Sequence, residues 1–167
     1  RAGCPSDLGD MIPLEVEWTN DALRNSIEAA PAHERTREDL VALWLLGRRR
    51  FRLAASSMVS MVERLASYDA PRPFWMVRIL CDKEVVENSA KLQEDGVCTV
   101  RVAFDVTGAL KGSEVEFKAA VISMLEQAAK LIHHALEVDM RPLMAACEAA
   151  RAVGYHNEWV WGEEVSS

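Results

Sequence analysis

The chain is short of the residues that mark most specialised classes of protein. Eight glycines and six prolines in 167 residues are too few for a collagen-like or low-complexity chain. The four cysteines, Cys4, Cys81, Cys98 and Cys147, form no CxxC pair, which removes zinc-ribbon and thioredoxin-like spacings. No apolar run approaches the roughly 18 to 20 residues that span a bilayer; the densest, residues 40–46, is ended by Arg48, Arg49 and Arg50. Basic residues are in deficit, 19 Lys and Arg against 26 Asp and Glu, for a formal net charge of −7. A nonspecific nucleic-acid binder carries the opposite balance. The HExxH, GxSxG, P-loop and GxGxxG patterns are all missing, so the best-known metalloprotease, serine hydrolase and phosphate-cradling chemistries have no motif to rest on.

What remains is ordinary globular material. Half the residues are apolar and 27% are charged, and a chain of this length buries roughly 70% of its unfolded surface in one core. Residues 1–12 carry Gly3, Pro5, Ser6, Gly9 and Asp10 and are read as an irregular lead-in, with residues 13–167 as a single domain. Arg1-Ala2-Gly3-Cys4 lacks the apolar residue that a lipoprotein cleavage site needs where Arg1 stands, so no lipid is expected on Cys4. The chain has no starting Met, which leaves an upstream extension open. Cys81, Cys98 and Cys147 lie in apolar runs and are expected as buried free thiols of a reducing compartment, which makes a soluble, cytoplasmic protein the expected setting.

Periodicity sets out the elements. Leu14, Val16 and Trp18 alternate with Glu15 and Glu17, a strand at period two. A short helix capped by Thr19 or Asn20 follows to about Ala30, and Pro31 stops it. Thr36 with Asp39 resembles a capping box, and the apolar residues from Leu40 to Leu65 recur at three- and four-residue steps. They predict one long helix near 37–67, bent near Gly47 and ringed at its middle by Arg48, Arg49, Arg50 and Arg52. That basic block is suited to pairing with carboxylates of its own fold, with phosphate or RNA binding as the sharper alternative. Residues 69–73, with Pro71 and Pro73, break the chain. Residues 74–81 are expected as a strand near the sheet centre. Residues 84–93 fit a strand or a short helix; if a strand, residues 74–106 form a three-stranded meander. Glu94-Asp95-Gly96 is a turn. In residues 97–106, Cys98, Val100, Val102, Phe104 and Val106 share one face, with Thr99, Arg101 and Asp105 on the other.

Ser113-Glu114-Val115-Glu116 is a full capping box, opening a helix to about Leu136. Its residues Phe117, Val121, Met124, Leu125, Leu131 and Ile132 are expected to pack on the sheet face bearing Val100, Val102 and Phe104. Pro142 suits the first turn of a last helix, capped by Asp139 and ending at about Val153 before Gly154. Trp159-Val160-Trp161 reads as a terminal edge strand that can pair with residues 14–18. The fold expected is α+β: an antiparallel or mixed sheet of about four to five strands with helices mainly on one face.

Candidate chemistry is sparse. His133 and His134 point about 100° apart on a helix and cannot easily share a metal. His156 with Cys98 or Cys81 is a nominal Cys-His dyad that any chain with four of each offers. Glu15 and Glu17, Glu94 and Asp95, and Glu163 and Glu164 are paired carboxylates in exposed-looking settings, unlike the partly buried acids of catalysis. Gly108 and Gly112 precede a helix without phosphate-loop spacing. No catalytic residue, metal or cofactor is assigned.

Charge and aromatics are more informative. Residues 1–30 carry net −4, residues 31–72 net +3, residues 73–111 net −1 and residues 112–167 net −5. Five tryptophans are present, and Trp159 and Trp161 are bracketed by Glu158, Glu163 and Glu164. Pattern alone places this pair in the core; aromatics ringed by acids are also how hot spots for basic partners look. The expected function is that of an acidic protein-binding protein, an inhibitor or immunity-type antidote that neutralises a basic partner such as a toxin or nuclease. Glu158, Trp159, Trp161, Glu163 and Glu164 are its expected contact residues. The alternative is a small enzyme or ligand-binding domain with a pocket between sheet and helices. Neither a membrane nor nucleic acid is an expected partner; self-association stays open.

Overall fold

The computed structural model describes residues 11–18, 29–34, 36, 37, 49–82, 89–105, 108, 109 and 111–157. Four strands and three helices are described: β1 (Leu14–Trp18), α1 (Arg49–Leu65), β2 (Met76–Asp82), β3 (Ser89–Leu92), β4 (Val97–Ala103), α2 (Glu114–Leu136) and α3 (Arg141–Ala152), with a 3-10 turn at Ala32–Glu34. The architecture is α+β, with one mixed four-stranded sheet in the order β1-β2-β4-β3.

Strands β1, β2 and β4 run parallel, with Leu14 opposite Val77 and Val77 opposite Cys98. Strand β3 is antiparallel to β4, with Lys91 opposite Thr99. The period-two alternation of β1 and β4 therefore divides the sheet into two faces. The inner face carries Leu14, Val77, Ile79, Cys81, Cys98, Val100 and Val102, all in the main core cluster. From the helices, Met58 and Val62 of α1, Phe117, Val121, Leu125 and Ile132 of α2, and Leu143 and Cys147 of α3 complete that core.

The expected meander is overturned. Residues 89–92 are a strand, but β2 neighbours β4 and runs parallel to it, so β3 lies outside. The reason is in composition. Val97, Cys98, Val100 and Val102 of β4 are all buried, and such a strand belongs in the middle. The four-residue β3, with Lys91 and Leu92 exposed, has the short, charged character of an edge. The β3–β4 turn closes by Gly96 N–H donating to the Gln93 carbonyl. Gly96 has φ +84°, and a Cβ there would meet the Trp75 ring at 2.9 Å, so only glycine fits.

Helix α2 begins with a complete capping box: Glu116 N–H donates to Ser113 Oγ (3.2 Å), and Ser113 N–H to Glu116 Oε1 (3.0 Å). This bonding holds the Glu116 carboxyl below its usual range. The expected α2–sheet packing is present, with Leu131 only half-buried against the core.

The cap of α3 differs from expectation. Met140 occupies the N-cap without a side-chain bond, and Asp139, one residue earlier, accepts from Arg141 N–H at 3.1 Å. At the other end Tyr155 N–H donates to the Ala150 carbonyl and Gly154 N–H to that of Arg151. Gly154 has φ +64°, and the pair of bonds is a Schellman stop. Arg151 then locks α3 to α2 through two bonds to Glu126 (2.8 and 3.0 Å), which holds the Glu126 carboxyl below its usual range.

Arg37 is helical and α1 is described from Arg49 to Leu65; the bend expected near Gly47 and the helix expected to end near Ala30 fall largely outside the described residues. The parallel neighbour of β1 is β2, while the terminal segment proposed to pair with it lies outside them. No helix among the described residues is long and apolar enough to cross a membrane.

Candidate functional site

Three places gather chemistry. The first is the outer face of the sheet. Its rows are read across the strands from the register: Glu15, Arg78, Thr99 and Lys91 in one, Glu17, Leu80, Arg101 and Ser89 in the next. Arg78 Nε sits 3.1 Å from Glu15 Oε1 and 3.7 Å from Glu17 Oε1. One guanidinium thus binds the paired carboxylates that the sequence placed on the outer side of β1. Both are about half exposed, at 46% and 53% of their side-chain surface, so this is a surface ion-pair group and lacks the burial that prepares an acid for proton transfer. Thr99 Oγ1 donates to Gln93 Oε1 at 2.8 Å. Met76 and Val97, at the strands' N-terminal end of this face, are buried.

The second is the corner between α2 and α3. An open depression of about 520 Å³ is lined by His133, His134, Glu137, Val138, Asp139 and Arg141. His133 Nδ1 accepts the Met140 N–H at 3.2 Å. The two imidazoles stand edge to face, centroids 5.5 Å apart and planes at 83°, as the helical offset dictates. Two bonds from the Arg141 guanidinium (2.9 and 3.0 Å) and its backbone N–H hold the Asp139 carboxyl far below the usual range. Among the described residues no group of three or more His, Cys, Asp or Glu is placed to hold a metal. The depression lies at a helix corner rather than between sheet and helices.

The third is a half-buried polar cluster under β1. Glu63 Oε2, on α1, accepts the Leu14 N–H at 2.7 Å, and desolvation pushes its carboxyl above the usual range. Tyr68 is 2% exposed, and its hydroxyl has no hydrogen-bond partner among the described residues. Burial pushes that phenol up to about 12. The Arg72 guanidinium lies 4.8 Å over the Tyr68 ring and donates to the carbonyls of Ala70 and Asp139. The sequence reading missed this cluster. Glu63 stands directly after the buried Met61 and Val62 within an apolar stripe, and Arg72 stands between two prolines; those were the available signals.

The remaining candidates resolve individually. Cys81, Cys98 and Cys147 are buried, and no disulfide joins them among the described residues. Desolvation pushes the Cys98 thiol up to about 11 and that of Cys147 up to about 12. The thiolate is the reactive form, so neither is a nucleophile near neutral pH, and His156 is exposed. Asp105 Oδ1 accepts the Gly108 N–H at 3.1 Å, placing a carboxylate where an anion cradle would need an open donor. Asp95 serves its turn, accepting Val97 N–H on Oδ1 and Trp75 Nε1–H on its carbonyl. Of the arginine block, Arg52 is exposed; the other three side chains lie outside the description.

Glu158, Trp159, Trp161, Glu163 and Glu164 all lie outside the described residues. Their point of departure is defined, however. Asn157 Nδ2 donates to the Ser57 carbonyl and hydroxyl (both 3.1 Å), and Asn157 Oδ1 accepts from Arg64 Nη2 at 2.6 Å. The chain entering the Trp pair is thus tied to α1. Comparison with protein-family models, with curated proteins and with solved structures gives no match for this chain.

Proposed function

We propose that this protein is a binding protein that captures and neutralises a basic protein partner, in the manner of an inhibitor or immunity-type antidote. The observation that supports it is the acidic excess. The chain has seven more carboxylates than cationic side chains, and no carboxylate among the described residues is fully buried. A net negative charge of that size raises the rate of encounter with a basic surface. The titratable groups that are desolvated, Glu63, Tyr68, Cys98 and Cys147, are packed in the core or hold backbone, a use that serves a rigid scaffold.

The test is affinity capture from the source cell with the folded chain as bait, followed by measurement of the captured complex. The reading expects one basic protein at fixed stoichiometry, whose activity falls on binding. Recovery of a small molecule or metal with no stoichiometric protein overturns it.

A further inference from the structure

The outer face of the sheet is polarised. Its β1 edge carries Glu15 and Glu17; its β4–β3 half carries Arg101 and Lys91, with Arg78 between. Glu15, Glu17, Lys91 and Arg101 are all exposed. The described helices pack on the other face, where the core cluster lies. Three of the four strands are parallel, and parallel sheets are almost always covered on both faces.

We infer that this face docks on the same face of a second copy of the chain. The charge order supplies the reason for choosing a second copy. A two-fold axis parallel to the strands, passing between β2 and β4, sets β1 of one copy over β3 of the other and keeps each row at its own height. Glu15 of one copy then faces Lys91 of the second, and Glu17 lies over the row that holds Arg101. Each contact occurs twice, as a two-fold interface requires. Leu80, half-buried in the middle of its row, lies under the aliphatic stem of Arg101 from the second copy, the way long basic side chains cover apolar surface. A uniformly basic partner would meet Arg78, Arg101 and Lys91 with repulsion.

The size of the face sets the strength. Strands of five, seven, seven and four residues, about 4.8 Å apart and rising about 3.3 Å per residue, give roughly 360 Å² per copy. Stable interfaces bury about 1,200 Å² or more in total, so the dimer is weak, reversible and sensitive to salt.

The experiment is sedimentation velocity on the full chain from about 5 to about 500 µM at low and high salt, a span that covers dissociation constants of weak dimers. A dimer that weakens with salt is expected. Glu15→Lys alone, and Lys91→Glu alone, place like charges opposite each other twice, and each should weaken self-association by about tenfold or more. Mixed together, the two variants restore opposite charges at both contacts, and a heterodimer of wild-type strength should form. A chain monomeric at every concentration overturns the inference. So does a dimer indifferent to both substitutions, or a mixture that fails to recover. Thermal melts of each variant show that the fold is intact, and the mixing result itself separates lost pairing from lost folding. The outcome is independent of the partner-capture test, which uses the bait at low concentration.

Discussion

Removing the Glu63 side chain tests how the edge strand is held. Glu63 Oε2 accepts the Leu14 N–H at 2.7 Å, the first donor of β1, and Leu14 itself is 7% exposed. Glu63→Ala leaves that donor without its acceptor, at a cost of about 1–3 kcal/mol for a buried unsatisfied group. Glu63→Gln keeps an acceptor and removes the charge, so it should cost less at neutral pH. The pH dependence follows from desolvation, which raises the carboxyl above its unfolded value. The folded state then favours the protonated acid. The associated stability is fully present below the unfolded pKa and is lost as pH rises through the folded one. Wild type should therefore lose ground to Glu63→Gln as pH increases from about 4 to about 7.5. Urea denaturation of the three proteins at several pH values measures this directly. A wild-type-to-Gln difference that stays flat, or grows in favour of wild type with pH, refutes the desolvation argument. An Ala variant within about half a kcal/mol of wild type refutes the role of the bond.

Three further outcomes are expected. Leu125→Ala, at a fully buried position of α2, should lower stability by about 2–5 kcal/mol, and Leu131→Ala by less because that residue is half-buried; equal losses in denaturant unfolding would contradict the packing described. Tyr68→Phe removes a buried hydroxyl with no partner among the described residues and keeps the ring beneath Arg72, so the melting temperature should hold or rise, by an amount equivalent to about 1 kcal/mol; a clear fall would mean that the hydroxyl is bonded. Ser113→Ala removes the acceptor of the α2 capping box and should cost about 1 kcal/mol by chemical denaturation, with no change if the box contributes nothing.

The legible part of this fold was its periodicity. Strands β1 and β4 follow from strict alternation, and α2 from a full capping box before an apolar stripe. Strand order was not legible, because pairing is a long-range property. The meander reading assumed that consecutive strands are neighbours; the edge character of β3 depends on a strand only four residues long, and the sequence left residues 84–93 open between strand and helix. Asp139 was chosen as the α3 cap by residue type, yet its carboxylate reaches the same N–H group from one position earlier. The alternation of β1 did show that Glu15 and Glu17 share the outer side. That Arg78 binds both required the register of a strand more than sixty residues away. Glu63 and Arg72 were hidden for a related reason. A charged residue beside apolar neighbours reads as the edge of a stripe, and only the tertiary fold shows the backbone group it serves.

The proposed capture of a basic protein, with Glu158, Trp159, Trp161, Glu163 and Glu164 as its expected contacts, is tested most directly by the association kinetics of the captured partner. Long-range attraction between opposite charges is screened beyond about 8 Å at physiological ionic strength, so the association rate should fall as salt is raised. Glu163→Lys with Glu164→Lys should lower that rate. Trp161→Ala should instead raise the dissociation rate, by an amount worth about 2 kcal/mol or more for a hot spot, with the melting temperature preserved. An association rate indifferent to salt and to both charge reversals would contradict the account. So would a Trp161→Ala variant that is destabilised while its folded fraction binds normally, which is the signature of a core residue.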